Sequence, residues 1–223
     1  MTEVQEFNRP SDLKDWAYSK IKQLILTSQV KAGEQLRIET LSGKMGISRT
    51  PIREALLKLE GEGLVRTASR VGFFVKGLTK RDLRELFELR EIIEAYAAEK
   101  AAPCLSDDDI LYLSGLHKKA VEAVKSNQLE VFVDLETTFH TFIIESSDNQ
   151  RLLKVLESLK DLTYRERILS VQSIENVAKS LKEHEDIVQV LDQRDGHKAG
   201  ELMRLHIREV KKRLIEFLDL PDD

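Results

Sequence analysis

All five histidines of the 223-residue chain lie after residue 78, and several fall in phase with apolar residues. Across 128–146, Phe132, Leu135, Phe139 and Ile143 recur at helical spacing, and Glu136 and His140 fall within or beside that stripe. Being four residues apart, those two side chains can meet one point. His184 lies among Leu181, Ile187, Val188 and Leu191, and His206 among Leu202, Met203, Val210 and Leu214. Three helices therefore aim one carboxylate and three imidazoles at a shared interior. Such groups are costly to bury without partners, which makes a common divalent cation the economical explanation. Imidazole suits zinc, nickel, copper and iron, and a carboxylate brings manganese into range. The competing reading is a polar pocket in which each histidine pairs with a neighbour. His117 illustrates it, since it joins the stripe Leu113, Leu116, Ala120 and Val124 without an evident partner.

Arg90 shares a stripe with Leu83, Leu86, Ile93 and Ala97, so it faces inward despite its charge. An inward arginine needs an anion. Either Glu94, one turn on, supplies it, or a bound ligand does.

The elements that must position these side chains are almost all helical. Three- and four-residue apolar spacings predict six helices over roughly 79–101, 106–126, 128–146, 149–170, 178–193 and 197–218. Pro103, Asp148-Asn149 and Asp195-Gly196 break the pattern between them, with Asn149 read as a cap for the helix that follows. Connections this short make neighbouring helices antiparallel and predict a six-helix bundle.

The first 77 residues read differently. A helix over 12–28 has Trp16, Ile21, Leu24 and Ile25 as its apolar face and ends at the turn Lys31-Ala32-Gly33-Glu34. Two short helices follow, 38–45 and 49–61, and then a strand, turn and strand from Gly63 to Val75. That order is a winged helix-turn-helix, in which the second short helix enters the major groove. Ser48 stands at its N-cap position, and Ile52, Ala55, Leu56 and Leu59 form its inward stripe. Thr50, Arg53 and Leu57 project away, with Arg49 at the exposed tip and Arg70 at the tip of the hairpin. Arginine pairs bidentately with guanine, and hydroxyls suit phosphates.

Composition narrows the classes. Hydrophobic residues make up 41% and charged residues 33%, which is globular rather than disordered. Net charge is divided: residues 1–77 carry 13 Lys/Arg against 9 Asp/Glu, and the remainder 22 against 30. The basic first third suits a polyanion. No apolar run nears the roughly 18–20 residues of a membrane span, and the N-terminus lacks a basic start followed by an apolar segment. The single cysteine, Cys104, excludes an internal disulfide. A cytoplasmic protein without a membrane partner is expected.

The run AGEQLRIETLSGKMGISRTPIREALLKLEGEGLVRTASRVGFFV, residues 32–75, closely resembles the DNA-binding domain of the GntR family of bacterial transcription regulators. Its A-G-x-x-L turn, I-S-R-T-P-I-R-E-A-L helix, G-L-V and G-x-F-V wing appear in the family's order. The resemblance implies operator contacts by Arg49, Thr50 and Arg53, and secondary contacts by the wing around Arg70 and Gly72. Gly43 departs from it, standing where the family prefers alanine or a longer side chain. The segments LFELREIIEAYAAEKAA, LETTFHTFIIESSDNQRLL and KEHEDIVQVLDQRDGHKAGELMRLHI resemble the FCD effector domain of the FadR-type subfamily, in its metal-containing VanR-like branch.

That resemblance implies metal ligation by Glu136, His140, His184 and His206, with Glu136 where the family pattern has Asp. It also implies a small carboxylate effector bound by Arg90 and the metal, and a homodimer on a palindromic double-stranded DNA operator. The expected protein is mainly α, with an N-terminal arm (1–11), a winged helix-turn-helix (12–77) and an antiparallel helical FCD domain (78–220). It would act as a transcription regulator, in the first instance a repressor, with zinc, nickel or manganese as its metal. Two rival readings remain open. One is a metal-dependent enzyme using the histidines and carboxylate, although no general base or nucleophile is evident beside them. The other is a regulator whose metal is purely structural.

Overall fold

The structure, a computed structural model, describes residues 12–69 and 71–222. The expected arm, 1–11, and Arg70 lie outside the described residues. The chain divides after Leu78 into two compact units.

In the first unit, α1 (Leu13–Leu26) begins at Asp12, whose carboxylate accepts from the Lys14 and Asp15 amides. Its buried seam is Ala17, Ile21 and Ile25, with Trp16 and Leu24 half-buried at its flanks rather than inside it. α2 (Ile38–Met45) stops at Gly46, which turns left-handed at φ +66° and donates its N–H to the Ser42 carbonyl. α3 (Arg49–Gly61) buries Ile52, Ala55, Leu56 and Leu59 completely, as its stripe predicts. Ser48 holds the N-cap position with extended backbone, but its side chain makes no capping bond. Tyr18 and Lys22 both bond Glu62, at 2.7 and 3.0 Å, fastening α1 to the end of α3.

The expected hairpin is present as β2 (Val65–Ala68) and β3 (Gly72–Val75), with Val65 opposite Val75 and Ala68 opposite Gly72. A further strand, β1 (Gln35–Leu36), pairs antiparallel with β3 and makes the sheet order β1-β3-β2. Two residues carry no period, which is why the sequence shows that segment only as the end of a turn.

In the second unit six helices appear: α4 (Lys80–Ala101), α5 (Asp107–Lys125), α6 (Leu129–Glu145), α7 (Gln150–Ser170), α8 (Ile174–Asp192) and α9 (Gly196–Phe217). Reciprocal capping boxes start α4 (Thr79 with Asp82) and α5 (Ser106 with Asp109). Asn149, Ser173 and Asp195 cap α7, α8 and α9. α8 starts a turn earlier than its apolar period suggests, because its first residue, Ile174, is exposed and out of phase. Among the described residues no helix is long and apolar enough to cross a membrane.

α9 lies along α4, and small residues set the approach. A Cβ at Gly196 would stand 2.4 Å from the Glu99 carbonyl oxygen, and one at Gly200 3.0 Å from that of Ala95. Gly43, in α2, has nothing within 4 Å of the same position. Gly196→Ala should therefore destabilise the chain by about 1–3 kcal/mol, through displaced backbone. Gly43→Ala should stabilise it by about 0.5–1 kcal/mol, by helix propensity alone. Urea unfolding of the two variants beside the parent checks both signs.

Candidate functional site

α6, α8 and α9 bring His140, His184 and His206 together, all buried, with one ring nitrogen of each within 4.8 Å of the others. Phe139 stacks on the His184 ring at 4.5 Å, and the His140 and His206 rings lie nearly parallel at 5.4 Å. Each imidazole has a carboxylate behind it. Glu136 Oε1 lies 3.0 Å from His184 Nδ1, and Glu183 Oε2 lies 2.7 Å from His206 Nδ1. Glu94 Oε2 stands 2.5 Å from His140 Nδ1, without the alignment of a hydrogen bond.

A carboxylate beside Nδ1 favours a proton on that nitrogen and leaves Nε2 as a lone pair. The Nε2 atoms of His184 and His206 face each other at 3.0 Å. A proton on one of them makes this a hydrogen bond, and without that proton the pair can share a cation. The donor set fits a borderline divalent metal, with its outer carboxylates in place. Burial and the neighbouring His184 push His206 down to about 4, against the pull of Glu183. Burial drives His140 to about 3, with Arg167 and His184 adding to it, against Glu94. Both imidazoles are therefore neutral near pH 7, the form that ligates.

Glu136 is buried but is not among the converging atoms, and its carboxylate is engaged with His184. Burial would raise it, yet His184, His140 and Arg167 hold it at about 2. His117 remains apart, its Nδ1 buried without a partner, and His197 is exposed beside Glu201.

Arg90 is met by internal anions. Its Nε donates to Glu94 at 2.7 Å and its Nη1 to Glu166 at 2.8 Å, with all three side chains nearly inaccessible. The pairing with Glu94 that the sequence leaves open is present, and α7 adds a second carboxylate. Against desolvation, Glu94 and Glu166 raise the guanidinium above the ordinary arginine range. A cavity of about 30 Å³ is lined by Arg90, Glu136, His140, His206, Glu166 and Arg167 together with apolar residues that include Phe132 and Leu214.

Glu166, Arg167 and Glu183 escape the sequence reading because charged residues on charged helices look solvated. A signal existed for α7: Leu152, Leu156 and Leu159 set a phase that continues through Thr163 to Glu166, and Arg167 borders it.

In the first unit, Thr50, Arg53 and Leu57 are exposed along α3, as expected, and the Arg49 side chain is 71% exposed, 3.4 Å from Glu39. Gly72 has φ +124°, a conformation that side chains rarely adopt. Gln35 links the start of α2 to the wing: its amide donates to the Val71 carbonyl at 2.8 Å and accepts from Arg37 Nε at 3.0 Å. Arg37 is a further exposed cation there, signalled only by its place before α2.

Comparison with known proteins agrees with both halves. Residues 13–75 match the family described as "Bacterial regulatory proteins, gntR family", and residues 85–209 match the "FCD domain". The chain belongs to the GntR family of bacterial regulatory proteins and carries an FCD domain. A relative named HTH-type transcriptional repressor RspR, from Escherichia coli K12, is 26% identical over 95% of this chain and 93% of its own. The Glc operon transcriptional activator of the same organism is 30% identical, over 87% and 85%. A solved GntR regulator from Rhodococcus sp. RHA1 shares the fold with a TM-score of 0.79 at 16% identity, covering 92% of this chain and 98% of that one. This GntR/FCD protein is thus a DNA-binding transcription regulator.

The regulator's buried ion pairs invite a direct test. Arg90→Leu strands Glu94 and Glu166 in the interior and should cost about 3–5 kcal/mol in urea unfolding. Arg81→Leu, which breaks an exposed pair with Glu85, should cost no more than about 1 kcal/mol.

Proposed function

We propose that this regulator is a repressor that binds a palindromic operator as a homodimer and responds to a small organic acid. The acid would enter the helical unit beside a divalent cation. The observation that carries the effector half is the cluster of His140, His184 and His206, buried and converging next to a cavity. Those three residues would hold the ion, which supplies a Lewis-acidic centre for a carboxylate oxygen. Glu136 serves the site through His184, fixing its ring, rather than as the fourth ligand of the family pattern. Arg90 keeps Glu94 charged behind His140 and forms one wall of the pocket. The alternative of a purely structural metal predicts no effect of any ligand on DNA affinity.

On the DNA side, Arg53, Thr50 and Arg49 read the operator from α3, and the wing with Gly72 and Arg70 meets the backbone or minor groove. Exposure of the first three along one helix supports that assignment. The ligand can change operator affinity only if it favours one arrangement of the dimer over another. RspR is named a repressor and the Glc regulator an activator, so the sign is part of the proposal.

Two measurements test the halves separately. With an operator selected by the parent protein from random-sequence DNA, Arg53→Ala should bind about tenfold or more weakly, with unchanged circular dichroism. Unchanged affinity would remove α3 from the interface. Elemental mass spectrometry of untagged protein should find about one equivalent of zinc, nickel or manganese, and none in His184→Ala. Absence of metal from both, even after reloading, would leave a polar histidine pocket and a regulator without coordination.

A further inference from the structure

Arg167, on α7, is the one buried cation of the helical unit without a carboxylate within 4.0 Å, among the described residues. It is 8% exposed. Its Nη1 donates to Thr137 Oγ1 at 2.8 Å, and the Thr137 hydroxyl in turn donates to the Val133 carbonyl at 2.8 Å. Thr137 thus holds the guanidinium in place without neutralising it. No described group accepts from Nε or Nη2, which form the side-on fork of an arginine. The side chain lines the same cavity as His140, His206 and Glu136. Arg90, by contrast, commits Nε and Nη1 to Glu94 and Glu166.

A guanidinium 8% exposed, with donors left open towards a small cavity, has given up most of its water without an anion at ion-pair distance. Burial, together with repulsion from Arg90, pushes Arg167 below the ordinary arginine range, a direction that an arriving anion reverses. A planar, two-oxygen anion matches the open fork edge, which a tetrahedral one does not fill as well. Val210 and Leu214, on the same cavity, provide an apolar lining for the carbon part of such a ligand.

We propose that Arg167, rather than Arg90, is the residue that binds the effector's carboxylate, by a two-point contact through Nε and Nη2. The inference rests on the reading of this cavity as the effector site. It adds the recognising residue and the shape of the recognised group.

Acetate is the probe, titrated calorimetrically into the full-length zinc-reconstituted chain, with chloride and inorganic phosphate at matched ionic strength. Metal content is measured on the same samples. Acetate should bind the parent, and phosphate should bind at least several-fold more weakly. Arg167→Gln should weaken acetate about tenfold or more, and Arg167→Lys should recover only part, because it restores the charge without the fork. Thr137→Val, which only releases the guanidinium from its tether, should weaken acetate a few-fold and keeps the test available should Arg167→Gln fold poorly.

Acetate binding that is absent in the parent, or equal in parent and Arg167→Gln, overturns the proposal even with zinc fully bound. Equal binding of phosphate overturns the carboxylate class. Loss of acetate in Arg167→Gln from samples that hold no zinc supports Arg167 while removing the metal from the function proposed above.

Discussion

The helical unit is organised around a thread of buried charge that begins at Arg90. This guanidinium joins Glu94 on its own helix to Glu166 on α7, and Glu94 in turn faces His140 on α6. His140 packs edge-on against His184, and His184 meets His206, which Glu183 and Arg213 then anchor at the far side. Five helices are bound into one polar line through an otherwise apolar bundle. Charges removed from water are costly unless they find an opposite partner at short range, and loss of one member of the thread strands the next. Buried leucine, isoleucine and phenylalanine on the same helices supply the apolar packing that holds these groups in register.

The same thread lines the cavity inside the helical unit. Apolar helices packed to normal density leave little room, and the cavity here opens where Arg90, Glu136, His140 and Arg167 stand beside Phe132, Val210 and Leu214. Its walls contain fixed charges, so the donors there are already organised. Burial keeps His140 and His206 neutral against the pull of Glu94 and Glu183, and the carboxylates behind the rings fix their orientation, the condition under which nitrogen ligands bind a cation. The wing and its neighbouring helices solve a different problem with a separate core: they rigidly expose a few cations. Its interior is closed by Ile21, Ile52, Leu56 and Leu59, and the exposed face of α3 is left to its arginines and threonine.

Much of this was legible before any coordinates. Apolar spacing located all six helices of the second unit, and the inward faces of α3, α6, α8 and α9 followed from it, because a 3.6-residue period carries burial directly. His140, His184 and His206 could be aimed at one interior for the same reason. Local chemistry also announced the cap at Asn149, whereas Asp195, legible only as part of a break, proves to cap α9. Where phase was weak the reading was incomplete: β1 is two residues long, the first turn of α8 is exposed, and Trp16 and Leu24 sit at the flank of a seam that Ala17 occupies.

By itself, then, the sequence determined the class of fold, the family and the faces on which functional side chains stand, since these depend on residues close together along the chain. Tertiary structure alone decided which charges answer one another. Arg90 and Glu166 are 76 positions apart, and Arg167 and Thr137 are 30. No periodicity says that the first pair meets and that the second arginine finds a hydroxyl instead of a carboxylate. Nor could spacing show that Glu136 turns to His184, although it stands four residues from His140. Helical phase fixes the direction of a side chain to within a face. The partner it reaches depends on how separate helices are set against each other, and in a low-dielectric interior that partner decides the chemistry.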